Sequence, residues 1–263
     1  MGKHSTWAAC GGVALGLVAA GYGIGLLLGA AGIVAGVSAV LALGYLIGTF
    51  DIGSPVFGAV ARTRRDRPEL ALTFDDGPDP RFTPTISGLL AAHGHRATFF
   101  VLGVNARAYP EVLRRLAADG HEIANHGDDH RLLAFGRPAT IRAQLGEAEL
   151  AVEGAVGRKP IRLFRAPHGV RSPWLGRTAA RHGYSLCGWN GRVFDTAEPG
   201  AGVIASRVAS LLRPGAVILL HDADGSGRGQ SRAQTVEALP TIIDELDRRG
   251  LRSVPLGQLI EAS

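Results

Sequence analysis

From residue 69 to the end of the chain, short apolar runs alternate with longer stretches of helical periodicity. The runs 69–74 "ELALTF", 97–101 "ATFFV", 121–125 "HEIAN", 161–164 "IRLF", 184–189 "YSLCGW", 216–220 "AVILL" and 251–254 "LRSV" predict strands. The segments 83–93, 110–119, 138–155, 173–182, 200–212 and 233–249 predict helices. Pro110 suits a helix start, and Gly120, Gly183 and Gly250 suit helix ends. Strand–helix repeats of this kind imply a parallel sheet with helical crossovers. Periodicity alone leaves open whether the strands close into a barrel or form an open doubly wound sheet. The "GSGRG" run, 225–229, reads as a flexible loop that lacks the full phosphate-binding pattern.

The first fifty residues follow another pattern. Between Ser5 and Phe50 there is no Lys, Arg, Asp, Glu or His. One helix of that length would span roughly 70 Å, about twice a bilayer core. A membrane hairpin of two helices, at about 7–28 and 33–50, fits better, with glycines four apart offering close packing. The expected organisation is therefore a membrane anchor with a basic linker over 1–67 and a catalytic domain over 68–263. Lys3 before the hairpin and Arg62, Arg64, Arg65 and Arg67 after it would place the domain in the cytoplasm by the positive-inside rule. The arginines could equally sit on anionic lipid headgroups.

The formal net charge is +5. Only Lys3 and Lys159 are lysines, and no basic run is interleaved with aromatics, which argues against nucleic acid as a partner. No protein partner is expected. The two cysteines, Cys10 and Cys187, suggest no disulfide framework.

Chemistry-bearing residues recur where the apolar runs stop. The first run ends in Asp75 and Asp76, and the third enters "NHGDDH" with His126 and His130. The fourth ends in "RAPHG" with Arg165, Pro167 and His168. The fifth leads from Trp189 through "WNGRVFD" to Asp195, and the sixth runs through Leu219 and Leu220 to His221. In a parallel α/β fold these strand ends share one face, where sites are built.

Taken in order, "TFDDGP", "HGDDH", "RAPHG", "WNGRVFD" and "LLHD" resemble the five motifs of the polysaccharide deacetylases, over roughly residues 68–260. The resemblance implies a distorted (β/α) barrel of about seven parallel strands and hydrolysis of N-acetyl groups from amino-sugar glycans such as peptidoglycan or chitin-like oligomers. It also implies a divalent metal, zinc first and cobalt, manganese or nickel as alternatives, held by Asp76, His126 and His130. Asp75 is then the general base, Arg165 its orienting partner, His221 the general acid and Asp195 the group that holds the acid. Pro167, His168, Trp189, Leu219 and Leu220 are expected to line the substrate groove, the two leucines seating the acetyl methyl. By family the catalytic domain lies outside the cytoplasm, at the cell membrane.

Three positions depart from the motifs. Gly127 replaces a hydroxyl residue, His168 stands where tyrosine is usual, and no tryptophan follows Asp195 directly. These departures bear on substrate identity more than on the reaction. Alternative readings are a deacylase or deformylase of a lipid-carrier-linked amino sugar, a non-haem iron oxygenase, and a non-catalytic glycan-binding protein. The oxygenase leaves Asp75 and His221 without roles.

Overall fold

The computed structural model describes residues 29–50 and 63–260. Two compact units divide the chain, Met1–Asp51 and Ile52–Ser263. The first contributes one described helix, α1 (Ala30–Phe50). Of the expected hairpin, the helix at 7–28 lies outside the described residues. The other coincides with α1, whose described side chains run from Gly32 to Leu46; among the described residues no helix is long and apolar enough to cross a membrane. The hairpin is thus unsupported by the structure.

The second unit alternates strand and helix in the order β1 (Glu69–Asp75), α2 (Thr83–Ala92), β2 (Thr98–Val101), α3 (Gly103–Ala108), α4 (Pro110–Ala118), β3 (Glu122–Asn125), α5 (Pro138–Val156), β4 (Leu163–Phe164), α6 (Pro173–Arg181), β5 (Ser185–Leu186), β6 (Gly191–Arg192), α7 (Ala201–Leu211), β7 (Val217–His221), α8 (Ala233–Arg248), β8 (Arg252–Ser253) and α9 (Leu256–Leu259). The strands pair in parallel in the order β5-β4-β3-β2-β1-β7-β6, with β8 on the N-terminal end of β1. No ladder joins β5 to β6 among the described residues, so the seven ordered strands form an incomplete barrel. Expectation missed β6, a two-residue strand containing a glycine, and α3, whose six residues carry no clear amphipathic period. The strand expected over 184–189 shortens to Ser185–Leu186.

Local chemistry sets the helix ends. Proline opens α4, α5 and α6, where its missing N–H has no helical partner to lose. Ser172 caps α6 by accepting from the Leu175 N–H at 3.2 Å. On α8 the buried residues Thr235, Ala238, Leu239, Ile242, Ile243 and Leu246 fall on one stripe, which covers the sheet.

Strand alternation sorts side chains into two layers. Leu70, Leu72 and Phe74 of β1, Phe99 and Val101 of β2, and Ile218 and Leu220 of β7 pack in the core shared with the helices. Ala71, Phe100, Val217, Leu219, Cys187 and Trp189 fill a second cluster inside the barrel, closed at its base by Leu256 and Leu259 of α9. Asp75 and His221 follow the inward parity and lie directly opposite each other in register. The fold thus delivers both to the C-terminal mouth of the barrel.

Candidate active site

The mouth of the barrel is a solvent-open cleft of about 340 Å³, lined among others by Asp75, Asp76, His126, His130, Trp189, Leu219 and His221. Three layers of chemistry meet there.

The first is a donor cluster. One ligand atom each from Asp76, His126 and His130 lies within 4.8 Å of the others. Asp76 Oδ1 is 3.3 Å from His126 Nε2 and 3.1 Å from His130 Nε2. Donors on a tetrahedral zinc, each about 2.1 Å from the ion, lie about 3.4 Å apart. Asp76 Oδ1 is buried without a hydrogen-bond partner, an orphaned acceptor that a cation would satisfy. The other oxygen, Oδ2, accepts from the Gly225 N–H at 3.1 Å. His126 Nδ1 donates to the Arg165 carbonyl at 2.9 Å, which leaves Nε2 as the lone-pair nitrogen facing Asp76. Burial lowers His130 to about 4 despite the attraction of Asp76, so its imidazole is neutral. Burial alone would raise Asp76, but the proximity of His126, His221 and His130 outweighs it and holds the carboxyl below its ordinary range. Two imidazoles and a carboxylate with an unsatisfied acceptor therefore fit a divalent cation.

Holding this cluster distorts the chain. Asp76 and His130 both adopt positive φ, +79° and +61°. Non-glycine residues in that region are strained, and such strain collects at functional sites. Gly77 is required because a Cβ there would lie 2.2 Å from Asp222 Oδ2. Asp222, next to His221 but on the other face of the strand, accepts from Thr83 Oγ1, and Thr83 in turn accepts from the Asp79 N–H. That chain of bonds pins the turn after Asp76. Asp222 itself is pushed up to about 7, chiefly by burial.

The second layer is Asp75 with Arg165. The fully buried guanidinium donates from Nη1 to Asp75 Oδ1 at 2.7 Å and to Thr73 Oγ1 at 2.9 Å. Nη2 donates to the Gly188 carbonyl at 3.0 Å, and the Phe100 ring centroid lies 4.0 Å from Cζ. Asp75 Oδ2 is left 3.9 Å from His126 Nε2, on the side of the donor cluster.

The third is His221 with Asp195. His221 Nδ1 donates to Asp195 Oδ1 at 2.9 Å, and its backbone N–H donates to Oδ2 at 2.8 Å. Thr235 Oγ1 donates to the same oxygen at 3.1 Å. Burial alone would lower His221, but Asp195 and the two acids at 75 and 76 raise it to about 9.

A family model for polysaccharide deacetylases matches residues 62–187. A chitooligosaccharide deacetylase of Bradyrhizobium sp. (strain ANU 289) is 39% identical over 209 residues, 77% of this chain and 94% of the relative. The chain belongs to the polysaccharide deacetylase family. Another polysaccharide deacetylase, a peptidoglycan-N-acetylglucosamine deacetylase of Bacillus cereus, is 34% identical over 73% of this chain and 87% of its own length. Among solved polysaccharide deacetylases, a peptidoglycan N-acetylglucosamine deacetylase in complex with 4-naphthalen-1-yl-N-oxidanyl-benzamide superposes with a TM-score of 0.71 at 33% identity, covering 78% of this chain and 93% of that one. A family 4 carbohydrate esterase from Streptomyces lividans in complex with acetate gives 0.64 at 30% identity, over 72% and 93%. The fold does not guarantee the reaction: a pseudoenzyme from Bacillus anthracis gives 0.68 at 24% identity, over 76% and 68%.

Measured against the polysaccharide deacetylase motifs, the expected residues divide as follows. Asp75, Asp76, His126, His130, His168, Trp189, Leu219 and His221 all line the cleft. Arg165 and Asp195 lie behind it, each bonded to a lining residue. Leu220 does not line it. Strand alternation turns this residue into the helix-facing core, so of the two leucines Leu219 alone faces the cleft. Pro167 is buried near the Gly127 turn and does not line the cleft.

The departures have local explanations. At Gly127, φ is +87°, and its N–H donates to Asn125 Oδ1 at 2.8 Å. Gln144 Oε1 accepts from the Asp128 and Asp129 N–H groups, so amide side chains tie the histidine loop where a hydroxyl was missing. His168 Nε2 donates to the His130 carbonyl at 3.1 Å, and the two rings lie 4.4 Å apart.

Sequence reasoning missed Arg192, Phe194, Thr196, Asp224, Gly225, Ser226, Gln230 and Arg232, all of which line the cleft. The "GSGRG" run is no free loop. Asp224 Oδ1 and Oδ2 accept from the Ser226 and Gln230 N–H groups, and the Gly225 N–H reaches Asp76.

Proposed function

We propose that this chain is a metal-dependent hydrolase that removes N-acetyl groups from amino-sugar glycans and releases acetate. The carrying observation is that one cleft brings together a cation-ready donor cluster, a separately oriented carboxylate and a carboxylate-backed imidazole. A divalent cation, zinc first, in the Asp76–His126–His130 cluster would polarise the acetamido carbonyl and make a coordinated water acidic near neutral pH.

The residues of the chain supply the proton transfers. Asp75 takes a proton from the attacking water at Oδ2, because Arg165 fixes Oδ1 and leaves Oδ2 on the side of the donor cluster. His221, raised by Asp195, gives a proton from Nε2 to the departing amine, its Nδ1 being held by Asp195. Leu219 and Trp189 offer the apolar wall for the acetyl methyl. Water attack on the carbonyl carbon breaks the C–N bond, leaving acetate and a free amino sugar.

The test is acetate release from chitooligosaccharides and peptidoglycan strands, with and without chelator. Chelation should abolish release and added zinc or cobalt restore it. Asp75→Asn should retain metal yet lose about 10²–10⁴-fold in kcat, whereas His126→Ala should lose the metal itself. Parental turnover in Asp75→Asn would remove the base from the scheme.

The same reading assigns 68–263 as the catalytic domain and 1–67 as an anchor at the cell membrane, with the domain outside the cytoplasm. Support comes from the uncharged stretch between Ser5 and Phe50 and from the exposed Val34, Val37, Leu41 and Leu46 on α1. Full-length protein should stay with membranes through a high-salt wash, and a compartment-sensitive reporter at the C-terminus should give the extracytoplasmic signal. A cytoplasmic signal would exclude mature wall polymer and favour a lipid-carrier-linked amino sugar.

A further inference from the structure

The rim of the cleft carries a cation that the deacetylation scheme leaves unused. Arg192 is exposed in β6, three residues before Asp195. Its Cζ lies 5.1 Å from the Trp189 ring centroid and 5.2 Å from that of Phe194. Among the described residues its guanidinium has these two rings as neighbours and no carboxylate or carbonyl partner. The other two arginines of the site are engaged: Arg165 with Asp75, and Arg232 through Nε with the Ala223 carbonyl.

Phe194 is equally unexplained by packing. It is 55% exposed and adopts φ +57°. A bulky aromatic in the left-handed region is strained, and here no burial compensates. Strained residues that persist without a packing reason concentrate at ligand clamps. With aromatic neighbours and no acceptor partner, the guanidinium keeps its N–H donors free, and a planar fork of donors matches a carboxylate. The exposed ring beside it offers an apolar face to a sugar.

We propose that Arg192, set beside Trp189 and Phe194, reads a carboxylate carried beside the acetamido sugar, so that the chain selects acidic amino-sugar glycans over neutral oligomers. The proposal rests on the N-deacetylase reading of the same cleft. The carboxylate could belong to an acidic ether substituent on a neighbouring sugar or to a peptide attached to it.

Binding is measured by calorimetry in full-length Asp75→Asn protein, where turnover does not consume the ligand. Three probes are compared: an N-acetylglucosamine tetramer, a peptide-free tetramer whose alternate sugars carry a lactyl carboxylate, and the same tetramer bearing peptides. Acidic probes should bind about fivefold more tightly than the neutral one, with the difference shrinking at high salt. Adding Arg192→Gln should erase the difference, and Arg192→Lys should keep only part of it. Preference for both acidic probes places the carboxylate on the sugar; preference for the peptide-bearing probe alone places it on the peptide. Equal binding of acidic and neutral probes, or a preference that survives Arg192→Gln, overturns the proposal. Acetate release by the parental protein is scored separately. If no probe is hydrolysed while the Arg192-dependent preference persists, the subsite stands and the deacetylase reading falls.

Discussion

Asp195 lies behind the cleft, bonds His221 through both carboxylate oxygens and raises it. The sign of the coupling is fixed by the shift to about 9 from an ordinary 6.5. A histidine raised on folding adds stability in full below about 6.5, and that contribution is lost as pH climbs through about 9. In metal-free protein, histidine ring NMR should show His221 titrating near the upper value. Asp195→Asn should bring its midpoint down by at least a unit and draw the alkaline limb of kcat/KM down with it. A midpoint unmoved by the substitution would show that the acids at 75 and 76 hold the charge instead.

At the scale of elements, alternation and loop closure decide which residues matter. Leu219 and Leu220 are chemically identical neighbours on β7, yet one meets the cleft and the other the helix layer. Leu220→Ala should cost about 2–5 kcal/mol in urea unfolding, the usual range for a fully buried leucine. A cost below 1 kcal/mol would contradict its placement. The loop after β7 acts on the donor cluster through Gly225, where a Cβ would lie 2.6 Å from Asp76 Oδ1. Gly225→Ala should weaken zinc binding by about 10–100-fold, the usual effect of disturbing a ligand's hydrogen-bond partner, while circular dichroism stays native. Titration with zinc by calorimetry reads this directly.

The whole molecule explains what could be read in advance. Asp75, Asp76, His126, His130, Arg165 and His221 were legible because each interrupts or ends an apolar run, and parallel strands carry such ends to one mouth. Leu220 was legible too, had the period of two been applied within the strand already assigned. The contact between Gly225 and Asp76 was not, since it joins residues 149 apart and a glycine-rich run signals only freedom of φ and ψ. Arg192 and Phe194 hid inside a segment read for its two ends, Trp189 and Asp195; the aromatic–arginine–aromatic order from Trp189 onward was the available signal. Barrel closure lay beyond periodicity, because β4, β5 and β6 have two residues each and carry almost no pattern.

Those same two-residue strands bear on how the protein fails when heated. Arg165 links Thr73 and Asp75 in the central strand to the Gly188 carbonyl beside the unsealed margin. Short marginal strands have few ladder bonds and open first. Warming should therefore unfasten the carboxylate from its clamp while the interior remains intact. Acetate production should cease several degrees below the loss of far-ultraviolet ellipticity, and amides at 185–188 should exchange with deuterium before those at 70–74. Coincident midpoints for the two signals would mean that the margin and the centre melt as one.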